Sequence, residues 1–427
     1  MRGKKSLSMI LAVVGIFLGS SAFPQVTITY DAWMWSEPNF KPMVEAAVAE
    51  FEKMNPDIKI EMRGGGWAET RQKLMMRAAA GDAEDVMMLD TDWFYFLGSA
   101  GVLADLYELA SSDFLDDLYP QAIAAMDVDG ELPAVPSALT PWGMWTNQVL
   151  MEKYGLKPNV TFEDVYDNCV TLKEAGADAQ IFHPFGTGRQ TPLDFRMWAW
   201  WNFGVELMDP KHLANGETGY DVPGTKKMYE WLRKMNTGGC FVQYGADGRN
   251  ALSHFETVLL NDGPYYLGIG RNSNPEMLGG DKIYDVFTVE AIPVLDEGQT
   301  PRTQGVGHAM AISAQSRHQE EAMRFVEFWV SHDKAIDLYT TPMGAITPSI
   351  KGQEKRMVAG GDYDNPVKRG YIENVMPGMT FVPYTDNWTA AGKITFDAWN
   401  KVVLTDEPID DIIEDTEATL RVILDLE

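Results

Sequence analysis

Residues 26–90 read VTITYDAWMWSEPNFKPMVEAAVAEFEKMNPDIKIEMRGGGWAETRQKLMMRAAAGDAEDVMMLD. Val26, Ile28 and Tyr30 alternate with polar neighbours, the pattern of a strand with one buried face. Phe40, Met43, Val44, Ala47, Val48 and Phe51 then recur at three- and four-residue steps. That is the apolar stripe of an amphipathic helix, and Asn55-Pro56 stops it. Ile58, Ile60 and Met62 alternate again. Past Gly64-Gly65-Gly66 a second helix runs through residues 74–80, and Val86 to Leu89 form a continuous apolar run, the mark of a strand buried on both faces. The order β-α-β-α-β predicts an α/β fold on a mostly parallel sheet flanked by helices, with ligands at the C-terminal ends of its strands.

Further along, residues 162–174, 225–234 and 320–331 carry helical spacing, and a last helix follows Pro408. The chain has 427 residues, 62 acidic against 35 basic, for a net charge of -27. Such a balance excludes a nucleic-acid partner, which needs a basic surface to displace counterions. At 45% hydrophobic and 23% charged the chain is globular, of about two to four domains. Residues 1–22 read as a secretory signal: Arg2, Lys4 and Lys5, then an apolar run from Leu7 to Leu18, then small residues ending at Ala22. The run falls short of the ~20 residues of a membrane anchor. Cleavage after Ala22 removes three cations, so the mature charge is -27 minus 3, or -30. No cysteine stands there to take a lipid, so a free periplasmic protein is expected, with an extracellular one as the alternative. Cys169 and Cys240 are too few for a disulfide framework or a four-thiolate zinc site, and either a single disulfide or two buried thiols fits them.

Aromatic placement is the most informative functional signal. Of 13 tryptophans, Trp231, Trp329 and Trp399 sit inside helical patterns and are expected in cores. Trp198, Trp200 and Trp201 crowd one helix, so one or two of them must face a core. Trp33, Trp35, Trp67, Trp93, Trp142 and Trp388 fall at strand ends or in predicted loops, where a large ring needs something to pack on. Flat rings with a few fixed hydrogen-bonding groups suit a sugar, which has apolar C–H faces and a hydroxyl rim. Arg196 and Arg271 are candidate bidentate donors or halves of structural ion pairs, and Asp90 is either a ligand contact or a turn cap.

Residues 27–106 resemble the N-terminal lobe of the extracellular solute-binding proteins of family 1 in ABC transporters, the sugar-binding, maltose-binding-protein-like group. The matching pieces are the opening strand, the helix ending at residues 49–56, the strand at 58–62, Asp85 to Asp90, and Gly101 to Leu106. The likeness continues through residues 147–157, 255–265, 291–294 and 307–313, to the late turn at 342–348. It implies a two-lobe periplasmic binding protein fold of type II, each lobe a mixed, mostly parallel sheet flanked by helices, with the lobes joined by a hinge. The lobes are expected at residues 23–140 plus 305–352 and at 141–304 plus 353–427. It also implies a carbohydrate ligand in the cleft, delivery to the transmembrane subunits of an ABC permease, and no catalysis. Asp92 stands where the family presents a carboxylate to sugar hydroxyls, and Tyr265 and Trp388 stand where it places stacking tryptophans. Thr146-Asn147 replaces the family's Tyr-Asn, and Gly263-Pro264-Tyr265 its Gly-Pro-Trp.

Two other readings compete with this one. A secreted carbohydrate-active enzyme could draw an acid and a base from 62 carboxylates, but no pair stands at a recognisable spacing. The six histidines are scattered, and no HExxH, Walker loop or GxSxG elbow occurs, so neither metal nor cofactor is expected. The same fold could instead hold a polyamine in an aromatic box. A monomer is expected in each case.

Overall fold

A computed structural model describes residues 25–90, 93–183, 193–242, 247–380 and 387–426, with Val382, Tyr384 and Thr385. Strands β1 (Val26–Asp31), β2 (Ile58–Arg63) and β3 (Val86–Asp90) pair in parallel as β2-β1-β3, with Ile28 opposite Ile60 and Tyr30 opposite both Met62 and Val86. Helix α1 (Lys41–Met54) buries Val44, Ala47, Val48 and Phe51, the expected stripe, and the Asn55 N–H closes it on the Phe51 carbonyl. Helices α2 (Trp67–Ala80) and α3 (Trp93–Ser99) lead into and out of β3. Trp67 and Trp93, expected at strand ends or in loops, therefore open helices.

Strands β4 (Val135–Leu139) and β5 (Gly143–Asn147) are separated by Thr140-Pro141-Trp142, and here the chain passes from the first sheet to a second one. The second sheet has the order β6-β7-β5-β8, with β6 (Gln180–His183), β7 (Thr257–Asp262) and β8 (Phe287–Glu290). After β9 (Thr303–Gln304) the chain returns as β10 (Val306–Ile312), which enters the first sheet between β3 and β4 and runs antiparallel to both. A third connection bridges Ile346 to Leu139 and leads through residues 366–378 to β11 (Met379–Thr380), paired in parallel with β9.

The sheets are mixed, as expected, but parallel pairs do not predominate in them. In the two main sheets the pairs β1–β2, β1–β3 and β6–β7 are parallel, while β3–β10, β4–β10, β5–β7 and β5–β8 are antiparallel. The cause is the exchange of chain between the sheets: a strand that arrives from the other body, without a crossover helix, is free to enter in either direction.

One core lies against the first sheet, where the Gln319–Ser331 helix sets Phe325 and Trp329 edge-on to Tyr30 at 5.0 and 5.5 Å. A second core holds Trp198, Trp200, Trp201, Trp231 and Trp399, so the whole cluster at 198–201 faces inward. Cys169, on the buried face of the Phe162–Glu174 helix, and Cys240 form a disulfide.

Candidate ligand-binding site

The parallel part of the first sheet ends in groups that a packed core has no use for. Asp31 closes β1 and is only 3% exposed. Arg77 of α2 reaches its Oδ2 at 3.9 Å while also pairing with the buried Glu84, and Oδ1 has no hydrogen-bond partner among the described residues. Burial pushes the Asp31 carboxyl up to about 6, against the pull of Arg77, Lys73 and Arg63. Trp33 follows in a short turn, with its ring edge-on to His308 of β10 at 5.5 Å and its buried indole N–H unpartnered among the described residues. A Cβ on Gly64 would stand 2.8 Å from the Ala32 carbonyl, so only glycine lets β2 end beside this turn. Trp35 turns to α1 instead: its indole N–H donates to Glu45 at 3.3 Å, and the Lys41 ammonium lies 4.7 Å from its ring.

Helix α3 presents a run of rings. Trp93 is 3% exposed, and Phe94 and Tyr95 meet Tyr384 at 5.7 and 6.3 Å between centroids. Tyr384 in turn stands edge-on to Trp388 at 5.3 Å, and Trp388 opens the Trp388–Leu404 helix of the second core. Tyr384 packs against both cores, so the rings form one series from the first body to the second. Beside it the Thr385 hydroxyl and the Trp388 indole N–H are buried with no partner among the described residues. Buried polar atoms left unpaired cost about 1–3 kcal/mol each, and such costs gather where a guest supplies the missing bonds.

On the second sheet, β7 ends at Asp262, and Gly263-Pro264-Tyr265 follows. Arg249 grips the buried Asp262 carboxylate with Nε at 2.6 Å and Nη2 at 3.0 Å, and its guanidinium lies 5.2 Å from the Tyr265 ring centre. Trp142, 2% exposed, occupies the first connection, where its carbonyl accepts from the Thr303 hydroxyl at 2.6 Å and ties that connection to the second.

Of the residues singled out by sequence, Trp33, Trp93, Trp142, Tyr265 and Trp388 thus lie at strand ends, connections or helix starts. The two arginines have other partners. Arg196 is wholly buried, donates from Nη2 to the Gly392 carbonyl at 2.7 Å, and so pins its turn to the Trp388–Leu404 helix. Arg271 donates to the Gly280 carbonyl at 2.8 Å, pairs with Asp281 at 3.9 Å and lies over the Tyr284 ring, three contacts that fall within residues 280–284. Asp92 and the side chains of Trp67 and Asp90 lie outside the described residues. Sequence reasoning passed over Asp31, Phe94, Tyr95, Arg249, Asp262 and Tyr384. A signal existed for two of them, since Asp31 and Asp262 are the carboxylates that end apolar strands.

The family model of bacterial extracellular solute-binding proteins matches residues 35–336. The chain belongs to that family. Among relatives, the maltooligosaccharide ABC transporter solute-binding lipoprotein of Streptococcus pneumoniae is 23% identical over 393 residues, covering 89% of this chain and 85% of the relative. A binding protein of Brucella abortus is 22% identical over 390 residues, 90% of each chain. The GacH receptor of Streptomyces glaucescens superposes with a TM-score of 0.77 at 18% identity, over 94% of this chain and 99% of its own. The sugar-binding protein MalE of Xanthomonas citri does so with 0.78 at 15%, over 94% and 98%. These structures establish the two-lobe periplasmic binding protein fold. In this solute-binding protein the first and second sheets are joined through residues 140–142. The matched family is one of extracellular solute-binding proteins, and the pneumococcal relative is named as the solute-binding lipoprotein of a maltooligosaccharide ABC transporter. No helix among the described residues is long and apolar enough to cross a membrane.

Proposed function

We propose that this solute-binding protein takes up a carbohydrate, an oligosaccharide, between its lobes and presents it to the transmembrane subunits of an ABC permease. The observation that carries the reading is the ring series from Phe94 and Tyr95 through Tyr384 to Trp388, with unpartnered polar atoms of Thr385 and Trp388 beside it. Rings offer faces to sugar C–H groups, and buried donors and acceptors regain partners from hydroxyls. In this reading Trp33, Trp93, Trp142, Tyr265 and Trp388 supply the stacking surface, and Asp31 and Asp92 accept hydrogen bonds. The lobes are residues 23–140 plus 305–352 and 141–304 plus 353–427, and the chain crosses between them near Trp142, β9 and Ile346. A guest touching both lobes stabilises the closed state by its differential affinity, so closure needs no chemistry. Residues 1–22 direct a monomer to the periplasm. The maltooligosaccharide relative supports this class of ligand.

The test is a thermal-shift screen of the mature protein against a panel of mono- and oligosaccharides, with spermidine as a control. A sugar that binds only the native state raises the melting temperature by mass action and is recovered intact. Replacing Trp388 by Ala should weaken that sugar at least tenfold while the protein still melts cooperatively. Spermidine alone shifting the melt, or a sugar recovered cleaved, overturns the reading.

A further inference from the structure

We infer that Arg249 is a positioning residue: held by Asp262, it fixes the ring of Tyr265 before a ligand arrives and so sets the affinity of the second lobe's stacking surface. The inference rests on the proposed place of Tyr265 in the carbohydrate site.

Asp262 is the immobile end of the device. It is the last residue of β7 and fully buried, and its carboxylate accepts from Arg249 Nε at 2.6 Å, Arg249 Nη2 at 3.0 Å and the Gly263 N–H at 2.8 Å. Its carbonyl accepts from the Tyr371 hydroxyl at 2.7 Å, which itself accepts from the Trp145 indole N–H at 2.7 Å. The carboxylate and its backbone are thus anchored to β5 and to the Tyr371–Val375 turn.

Arg249 comes from a different element, the Gly248–Ser253 helix, whose first N–H groups are capped by Asp247. Two parallel N–H bonds onto one carboxylate fix the plane of a guanidinium as well as its position, which a single ammonium contact cannot do. That oriented plane sits 5.2 Å from the centre of the Tyr265 ring.

The backbone hems in the other sides of Tyr265. A Cβ on Gly263 would collide with the Tyr265 ring, so the ring folds back over its own glycine. Gly344, on the third connection with φ +93°, presses on the same turn, and a Cβ there would stand 2.7 Å from the Pro264 carbonyl and 3.2 Å from the Tyr265 Cα. The approach at Gly344 meets backbone atoms at a positive φ and requires glycine, while Gly263 leaves the room that the ring occupies. With its backbone held by Gly344 and its ring between Gly263 and Arg249, Tyr265 keeps one orientation. An aromatic platform ordered in advance spares the ligand the entropy of immobilising it, about a three- to tenfold gain in affinity for one such side chain.

Arg249→Lys separates the roles, because it keeps a cation beside Asp262 and removes the fork. In the full mature chain, 3-fluorotyrosine placed at position 265 reads the ring directly. Wild type is expected to give one narrow 19F line, and Arg249→Lys a broadened or split one. With maltotriose as the titrant, Arg249→Lys is expected to bind about three- to tenfold more weakly. The double variant Arg249→Lys with Tyr265→Ala should then bind no more weakly than Tyr265→Ala alone. A narrow 19F line in Arg249→Lys, or additive losses in the double variant, overturns the inference. Wild-type affinity in Tyr265→Ala would instead remove Tyr265 from the carbohydrate site, and the 19F line still decides whether Arg249 orders the ring.

Discussion

Asp31→Asn is expected to make the protein more stable and a poorer binder. Asp31 is 3% exposed, its Oδ1 lacks a hydrogen-bond partner among the described residues, and burial raises its carboxyl from 3.8 to about 6. A folded-state value above the unfolded one means that the native protein binds the extra proton between those two pH values. The stabilising contribution of this carboxyl is therefore full below 3.8 and is lost as pH rises through about 6. A rise of about two units, at 1.36 kcal/mol each, makes the ionised carboxylate cost about 3 kcal/mol at pH 7. Asparagine carries no charge to bury, and Arg77 keeps Glu84 as its partner. Urea unfolding followed by tryptophan fluorescence should show Asp31→Asn more stable by about 3 kcal/mol at pH 7 and by under about 1 kcal/mol at pH 4. Affinity for the carbohydrate should fall, because a charged acceptor binds hydroxyls roughly twice as strongly as a neutral one. An equal stability difference at both pH values, or a less stable Asp31→Asn at pH 7, would refute the electrostatic argument.

Replacing Cys169 and Cys240 by Ser should lower stability by about 4 kcal/mol, since the bridge closes a loop with a sequence separation of 71. Urea midpoints that coincide for the two proteins under oxidising conditions would show that the bond contributes nothing. Lys368 is buried, donates to the Ala345 carbonyl at 2.6 Å and to that of Gly344, and is lowered to about 7 by burial and Arg271. Because the unfolded chain binds this proton up to pH 10.5, stability should rise with pH through that window. Relative to Lys368→Met, the wild type should gain about 2 kcal/mol between pH 7 and 9, and a flat difference would count against a depressed lysine.

Much of the first lobe was legible. The three-four stripe of α1 and the alternations of β1 and β2 emerged where the side-chain pattern put them, because burial of one face is a local demand on spacing. Trp388 was legible as a residue of interest, but its place at the start of a helix was not read, although Asn387 before it is a residue type that favours the N-cap and occupies that position here without a side-chain capping bond. Arg196 and Arg271 misled for a general reason: a guanidinium meets a carbonyl, a ring or a carboxylate equally well, and sequence does not say which lies near. Asp262 and Arg249, thirteen residues apart, attracted no attention because a bidentate pair has no sequence signature when its halves sit on a strand and a separate helix.

The element types and the aromatic, carboxylate-bearing chemistry were readable from the period and composition of short segments, and the two-lobe class from the resemblance to a family. The folded chain adds that β10 enters the first sheet antiparallel, that Cys169 bonds to Cys240, and that Tyr384 closes the gap between Phe94 and Trp388. Each of these joins segments far apart in the chain. Such contacts are selected by which surfaces remain unburied once the local elements have formed, and no local pattern encodes that remainder.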